Sequence, residues 1–511
     1  MRRSVEIACV KAPISNIMIK KLDNGTIAFA CAASATPDGK LHNPEMEEQP
    51  RSSAKVYSSL FVRHWDTWNT ENRSSIFYGV LDHKDGKYSL RDNTLVNALA
   101  GTDLSSPVPP FGGTSDFDIG PAGIVFVAKD PELDPAMYTK TNLYYIPLKT
   151  FTESNPPAPQ IVKTPGLEGY CNAPVFSNCG RKVAFTRMRS NQYESDKTRL
   201  LIVRDINNLD NDAEEFYTTN DGEGGWDARP EAIVWSHDDA NLYVTAEHHA
   251  RTLIWALPSD PSHATSLPTA LQTPDGSVTD FRLLAPAKSS DTLFVTTTSL
   301  VDNSCYSTVS PSSPSSPPTI ISSNTKHGKT LNLSRASIDS ITFPGAGDYS
   351  VHALVMRPST FDKSKSQKYP LCMLIHGGPQ GAWADAWSTR WNPAVFAEQG
   401  YVVVAPNPTG STGYGMALED GIRGNWGGRP YEDLVKCFEY VEENMPEVDT
   451  GRAVALGASY GGFMISEFTF PLEMNGCEMC GLLTQGQTGS RGIHWAASSR
   501  RWCATTVCSA R

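Results

Sequence analysis

The segment Ala453–Gly461, AVALGASYG, limits what this chain can fold into more than any other stretch. An apolar run passes directly into Gly457-Ala458-Ser459-Tyr460-Gly461. Before it, Pro430 to Glu443 carries apolar Leu434, Val435, Phe438 and Val441 at helical spacing, which predicts an amphipathic helix leading through Val448 to a buried strand. A strand entering G-x-S-x-G and then a helix is the setting of a nucleophile elbow. A serine hydroxyl is a poor nucleophile, and the tight turn presents it where a histidine can take its proton. Glycines two residues either side leave room for that turn. Ser459 is thus the candidate nucleophile, and the backbone N–H of Tyr460 a candidate oxyanion donor.

The surroundings support an open α/β sheet. From about residue 336, strands predicted at Val351–Met356, Leu371–Ile375 and Val402–Ala405 alternate with helical patterning. His376-Gly377-Gly378-Pro379 follows the second of these, where hydrolases of this architecture place a loop whose N–H groups face the oxyanion. Gly377 and Gly378 are therefore the other candidate donors. Read alone, HGGP could also be a simple tight turn, though the elbow downstream favours the donor loop.

Residues 20 to 300 look different. Short apolar strands alternate with turns rich in Gly, Pro, Asn and Asp, and no long amphipathic helix interrupts them. The copies beginning near Asp116, Ala173, Ile233 and Asp280 recur at roughly the period of a four-stranded propeller blade. Four repeats and a partial one around Asp23 to Phe29 predict a β-propeller that is incomplete at its N-terminal side, because a blade buries its faces only against neighbours. An all-β sandwich is the competing reading. The Ser/Pro-rich stretch between Ser310 and Ser323 reads as a loop near the domain change. The expected division is residues 1–335 as propeller, 336–465 as the N-terminal part of an α/β-hydrolase domain, truncated after the nucleophile elbow, and 466–511 as an aberrant tail.

Charge narrows the partners. With 44 basic against 55 acidic residues and a net charge of −11 without blocks of like charge, nucleic acid is not an expected partner. No apolar run reaches the roughly 18 residues that cross a bilayer, so no membrane partner is expected either. His64-Trp65-Asp66, Glu214-Glu215 and Asp238-Asp239 are weaker candidates for meeting a substrate ammonium group, since acidic pairs are ordinarily solvated. His248-His249 reads as structural.

The motifs HGGPQGAWADAWSTRWNP (376 to 393), YVVVAPNPTGSTGYG (401 to 415), NWGGRPYEDLVKCFEYVEENMPEVD (425 to 449) and GASYGGFM (457 to 464) together resemble the prolyl oligopeptidase family of serine peptidases, and within it the secreted fungal dipeptidyl peptidases. The likeness extends upstream through VYSSLFVRHWDTW (56 to 68) and PVPPFGGTSDFDI (107 to 119). The resemblance implies a propeller that gates a Ser-Asp-His triad, peptide substrates cut to release N-terminal dipeptides, no metal or organic cofactor, and secretion. It also implies that His376 and Tyr414 line the substrate site. Acylaminoacyl-peptidase or esterase chemistry on the same fold is not separable by motif.

Family order places Asp and His after Ser459, yet beyond Ser459 the sequence has no Asp and a single His, His494, which lies in a Trp-, Cys- and Arg-rich tail and is not expected to be catalytic. Read one frame over, the codons for Gln487 to Arg511 can encode a segment beginning NWIQG that resembles what the family places after GASYGGFMI. Ser466-Glu467 can supply a GTGAG splice donor and Gln487 a CAG acceptor. A retained intron followed by a shifted frame is therefore expected, which makes Cys477 and Cys480 an accident of translation rather than a metal or redox pair. The chain as written is then a catalytically inactive fragment, the alternative to an active peptidase.

Overall fold

The computed structural model describes residues 6–22, 25–48, 51–58, 62–284, 291–469 and 501–506. It divides into two compact units. The first comprises residues 1–246, 254–270 and 285–291, and the second residues 247–253, 271–284 and 292–511.

Five antiparallel sheets make five blades of a β-propeller. The second to fifth start with the strands Phe117–Gly120, Cys171–Phe176, Ile233–Trp235 and Ser277–Leu283, each with four strands in meander order. The first is a full sheet of Ile14–Lys21, Ile27–Ala35, Arg73–Lys84 and Lys87–Leu90, with Val96–Asn97 added beside Arg73–Lys84. This corrects the partial repeat expected around Asp23 to Phe29. Its second and third strands pair from Ile27↔Leu81 to Ala35↔Arg73, but residues 36–72 intervene and hide the period. Asp23 and Asn24 themselves lie outside the described residues.

Blade faces are buried where blades meet. Ile76 and Tyr78 of the first blade pack with Ile124 and Phe126 of the second, and Val125 and Val127 on the opposite face pack with Val183 and Phe185 of the third. Alternation along one strand thus serves two neighbours at once. Gly120 is required there, because a Cβ would sit 2.6 Å from the Phe176 ring. The acidic pairs are used within the blades. Asp239 accepts from the Asn178 and Cys179 N–H groups at 2.7 and 2.9 Å, Asp238 from the Ser236 hydroxyl at 2.6 Å, and Glu214 pairs with Arg204.

In the second unit, besides the fifth blade, a six-stranded sheet runs in the order Ile338–Pro344, Ser350–Met356, Val402–Asn407, Tyr369–Ile375, Val448–Gly457, Arg501–Thr506. The second strand is antiparallel to the neighbours on both its sides, and the last four run parallel. The two central strands are apolar up to Asn407 at the end of one of them, as expected for strands covered on both faces. On one face lies α3 (Arg429–Asn444), which buries Leu434, Cys437, Phe438 and Val441 against Val404, Leu371 and Ala455. On the other, α1 (Pro393–Ala397) packs Ala394 and Ala397 with Leu374, Val403 and Ala405. Two further helices are α2 (Met416–Asp420) and α4 (Tyr460–Thr469). Among the described residues no helix is long and apolar enough to cross a membrane.

Candidate active site

Three loops leave the carboxyl ends of three neighbouring parallel strands, the edge at which open α/β sheets form their sites. The strand Val448–Gly457 ends in Ala458 and Ser459, and α4 begins at Tyr460. Ser459 has φ +57°, a left-handed conformation that costs a non-glycine residue about 1–2 kcal/mol and persists only where packing enforces it. The packing is explicit. A Cβ on Gly461 would lie 2.2 Å from the Ile375 carbonyl oxygen of the adjoining strand, and one on Gly457 would lie 2.5 Å from the Gly461 carbonyl. The two flanking glycines therefore let helix, turn and strand close on one another.

The His376–Pro379 loop meets this turn. A Cβ on Gly377 would lie 3.0 Å from the Ala458 carbonyl and 3.8 Å from the Ser459 hydroxyl oxygen, so bare backbone faces the serine. Gly378 has φ +132° and precedes a cis proline. The Tyr460 N–H belongs to the first turn of α4, whose donors have no acceptor within the helix. Tyr460's side chain points elsewhere: its hydroxyl donates to the Trp426 carbonyl at 2.7 Å and its ring meets Trp426 edge-on. Glycine backbone of one loop and the first turn of α4 thus border Ser459. Among the described residues, no hydrogen bond is made to the Ser459 hydroxyl by a histidine or carboxylate.

His376 is buried with its Nδ1 2.9 Å from the Gly377 carbonyl and Nε2 2.9 Å from the Ser411 hydroxyl. A carbonyl can only accept, so Nδ1 carries the hydrogen and Nε2 accepts from Ser411. Burial holds the imidazole below its ordinary pKa, which keeps it neutral in this arrangement. Tyr414 accepts from Asn407 Nδ2 at 2.8 Å and lies 2.7 Å from His352 Nδ1, with the His249 ring 5.3 Å away. Burial raises the Tyr414 pKa, so its hydroxyl stays protonated.

A pH dependence follows. The ordinary histidine pKa is 6.5 and the folded value of His376 is lower. As pH falls through about 6.5, the unfolded chain binds a proton that the folded chain refuses, so stability declines. Burial depresses His352 in the same direction. The apparent melting temperature is expected to be lower at pH 5 than at pH 7, with a shallower decline in His376→Gln. Identical slopes in the two proteins would refute the assignment.

Several contacts that shape the site come from motif residues to which the sequence assigns no role. Ser411, fully buried, joins the loop Pro408–Gly415 to His376, and Thr412 N–H donates to the Gly381 carbonyl at 3.1 Å. Asn407, also fully buried, accepts from the Trp383 N–H at 2.7 Å and donates back to its carbonyl. Paired small polar residues within an apolar strand-to-loop junction are the one sequence signal for them. Cys477, Cys480 and His494 lie outside the described residues.

Residues 387–469 match the model of the prolyl oligopeptidase family. The chain is 41% identical to a dipeptidyl-peptidase 5 of Aspergillus fumigatus over 91% of its length and 63% of that protein's. It is 40% identical to a dipeptidyl-peptidase 5 of Arthroderma otae, over 86% of this chain and 59% of the relative. The chain therefore spans about three fifths of the curated relatives it matches. A Pyrococcus horikoshii acylaminoacyl peptidase shares the fold at a TM-score of 0.60 and 13% identity, over 88% of this chain and 60% of that one. A puromycin-hydrolyzing peptidase of Mycobacterium tuberculosis does so at a TM-score of 0.53 and 16% identity, over 90% and 61%. Residues 387–469, which span the Ser459 turn, thus match the prolyl oligopeptidase family, and the chain is about 40% identical to curated dipeptidyl-peptidase 5 relatives over most of its own length.

Proposed function

We propose that this protein is a serine peptidase that releases dipeptides from free peptide N-termini and acts outside the cell. The observation that carries this reading is the left-handed Ser459 between the strand Val448–Gly457 and α4, with the Gly377 backbone against its side chain. Ser459 Oγ attacks the scissile carbonyl, forming a C–O bond as its proton passes to a base. The developing oxyanion is met by the N–H of Tyr460 and of Gly377 or Gly378, donors fixed before the reaction and worth roughly 3 kcal/mol each in comparable sites. His376 and Tyr414 act in binding: His376 positions the donor loop, and Tyr414 shapes the substrate pocket. The dipeptide preference rests on the similarity to the dipeptidyl-peptidase 5 relatives.

The competing reading is a catalytically inactive chain. Fluorophosphonate labelling separates the two. A peptidase is expected to be labelled at Ser459, with labelling lost in Ser459→Ala, and to cleave dipeptide anilides but not their N-blocked forms. Folded protein that takes up no label would sink the peptidase reading and direct attention to the reading frame after Ile465. Cleavage of N-acylated substrates instead would favour acylaminoacyl-peptidase activity.

A further inference from the structure

We propose that Asp302, Cys305 and His327, in the fifth propeller blade, form a binding site for a zinc-class divalent cation. Their ligand atoms, one from each side chain, all lie within 4.8 Å of one another. A tetrahedral zinc with bonds of about 2.0–2.3 Å needs its ligands about 3.3–3.8 Å apart. His327 Nδ1 already stands 3.8 Å from Asp302 Oδ2. The remaining adjustment falls to the imidazole, whose side chain is 58% exposed and free to swing, while Asp302 and Cys305 are buried.

Local structure holds these groups in place. Asp302 closes the turn that begins at Ser299, and Cys305 opens the strand Cys305–Val309. The chain leaving the strand Thr319–Ser323 folds back over them. Ser323 and Thr325 donate their hydroxyls to the Asp302 carboxylate, and the His327 N–H donates to Ser323 Oγ at 2.7 Å. Such outer contacts fix the orientation of a ligating carboxylate.

The three side chains border a cavity of about 350 Å³ that Thr297 also lines. The Thr297 hydroxyl is fully buried, faces Cys305, and has no oxygen or nitrogen partner among the described residues. Three protein ligands leave a fourth position on the cavity side, where a metal-bound water would supply that partner. One carboxylate, one thiolate and one neutral imidazole suit a borderline-soft cation; calcium and magnesium call for six or more oxygens. The carboxylate and thiolate balance a double positive charge, and the thiol proton leaves to solvent on binding. Arg335, on the cavity wall, is itself compensated by Asp385 and Asp275.

The test uses the full chain after chelator treatment. Zinc titrated by calorimetry is expected to bind at one equivalent and to raise the apparent melting temperature. Cobalt is expected to give a thiolate charge-transfer band, and zinc to protect Cys305 from alkylation. His327→Ala, altering an exposed side chain, should melt like the parent in chelator yet bind roughly 100-fold more weakly. Cys305→Ser should lose the charge-transfer band; if it does not fold, His327→Ala and the alkylation assay decide. Unchanged zinc affinity in His327→Ala, or alkylation of Cys305 unaffected by zinc, overturns the proposal.

Discussion

Gly461→Ala is expected to cost the hydrolase sheet about 4 kcal/mol or more, enough to leave most of the expressed protein insoluble or melting far below the parent. The new methyl carbon would sit 2.2 Å from the Ile375 carbonyl and 3.1 Å from that of His376. Both atoms are backbone, one of them the last residue of a central strand paired on both sides, so neither can swing away as a side-chain tip would. Relief requires lifting α4 off the sheet. That uncovers Met464 and Ile465, which are buried against the strands. Typical domains are stable by only 5–15 kcal/mol, so one such displacement consumes much of the margin. Gly427→Ala is the matched control: its Cβ would meet nothing nearer than the Phe463 ring tip at 3.8 Å. Thermal unfolding of the two variants beside the parent decides the matter. Equal melting of Gly461→Ala and parent would show that the elbow tolerates a side chain and that its tightness is not what holds Ser459 at φ +57°.

That result would bear on how the site was legible in the sequence. The elbow could be read because its requirements are local: a strand, a serine and two glycines within a few residues suffice, and the structure places Gly457 and Gly461 where a methyl group cannot fit. The parallel order of Leu371, Val402 and Ala453 was legible for a similar reason, since strands buried on both faces are apolar at consecutive positions. The first blade was not. Its second and third strands are adjacent in space but separated by residues 36–72, and a repeat search sees chain distance rather than pairing. His376 shows a further limit. Its position after the strand Tyr369–Ile375 marks the proposed donor loop, but that its ring is tied to Ser411 depends on a loop more than thirty residues later.

Asp433 is the clearest residue that sequence reasoning passes over, and the second large effect is expected there. It occupies α3 beside Leu434 and Val435, where an acidic residue reads as part of the solvated face, yet it is fully buried. Its carboxylate accepts from the Ala346 N–H at 2.6 Å, from the Thr409 N–H at 2.7 Å and from the Thr409 hydroxyl at 2.6 Å, with the Tyr349 hydroxyl 3.3 Å away. Donors from a hairpin and a site loop thus converge on one helical side chain. Asp433→Ala strands two N–H groups away from water, at about 1–3 kcal/mol for each unsatisfied group, and leaves the Thr409 hydroxyl with Tyr349 as its partner, so a net loss near 4 kcal/mol is expected. Asp433→Asn keeps one acceptor oxygen but turns an NH2 toward donors on the other side, and an intermediate loss of roughly 2 kcal/mol is expected. The consequence reaches Ser459 through a continuous path. Thr409 lies in the turn in which the Ser411 N–H donates to the Pro408 carbonyl, Ser411 donates to His376, and His376 holds the Gly377 carbonyl beside the serine. Folded Asp433→Asn should therefore react with a fluorophosphonate about tenfold more slowly than the parent, with kcat reduced more than KM, because a misplaced donor weakens the transition state more than the ground state. Parent-like melting of Asp433→Ala would deny the carboxylate its structural role. A stability loss with an unchanged labelling rate in Asp433→Asn would confine Asp433 to holding α3, and would break the path from that helix to the proposed oxyanion donors.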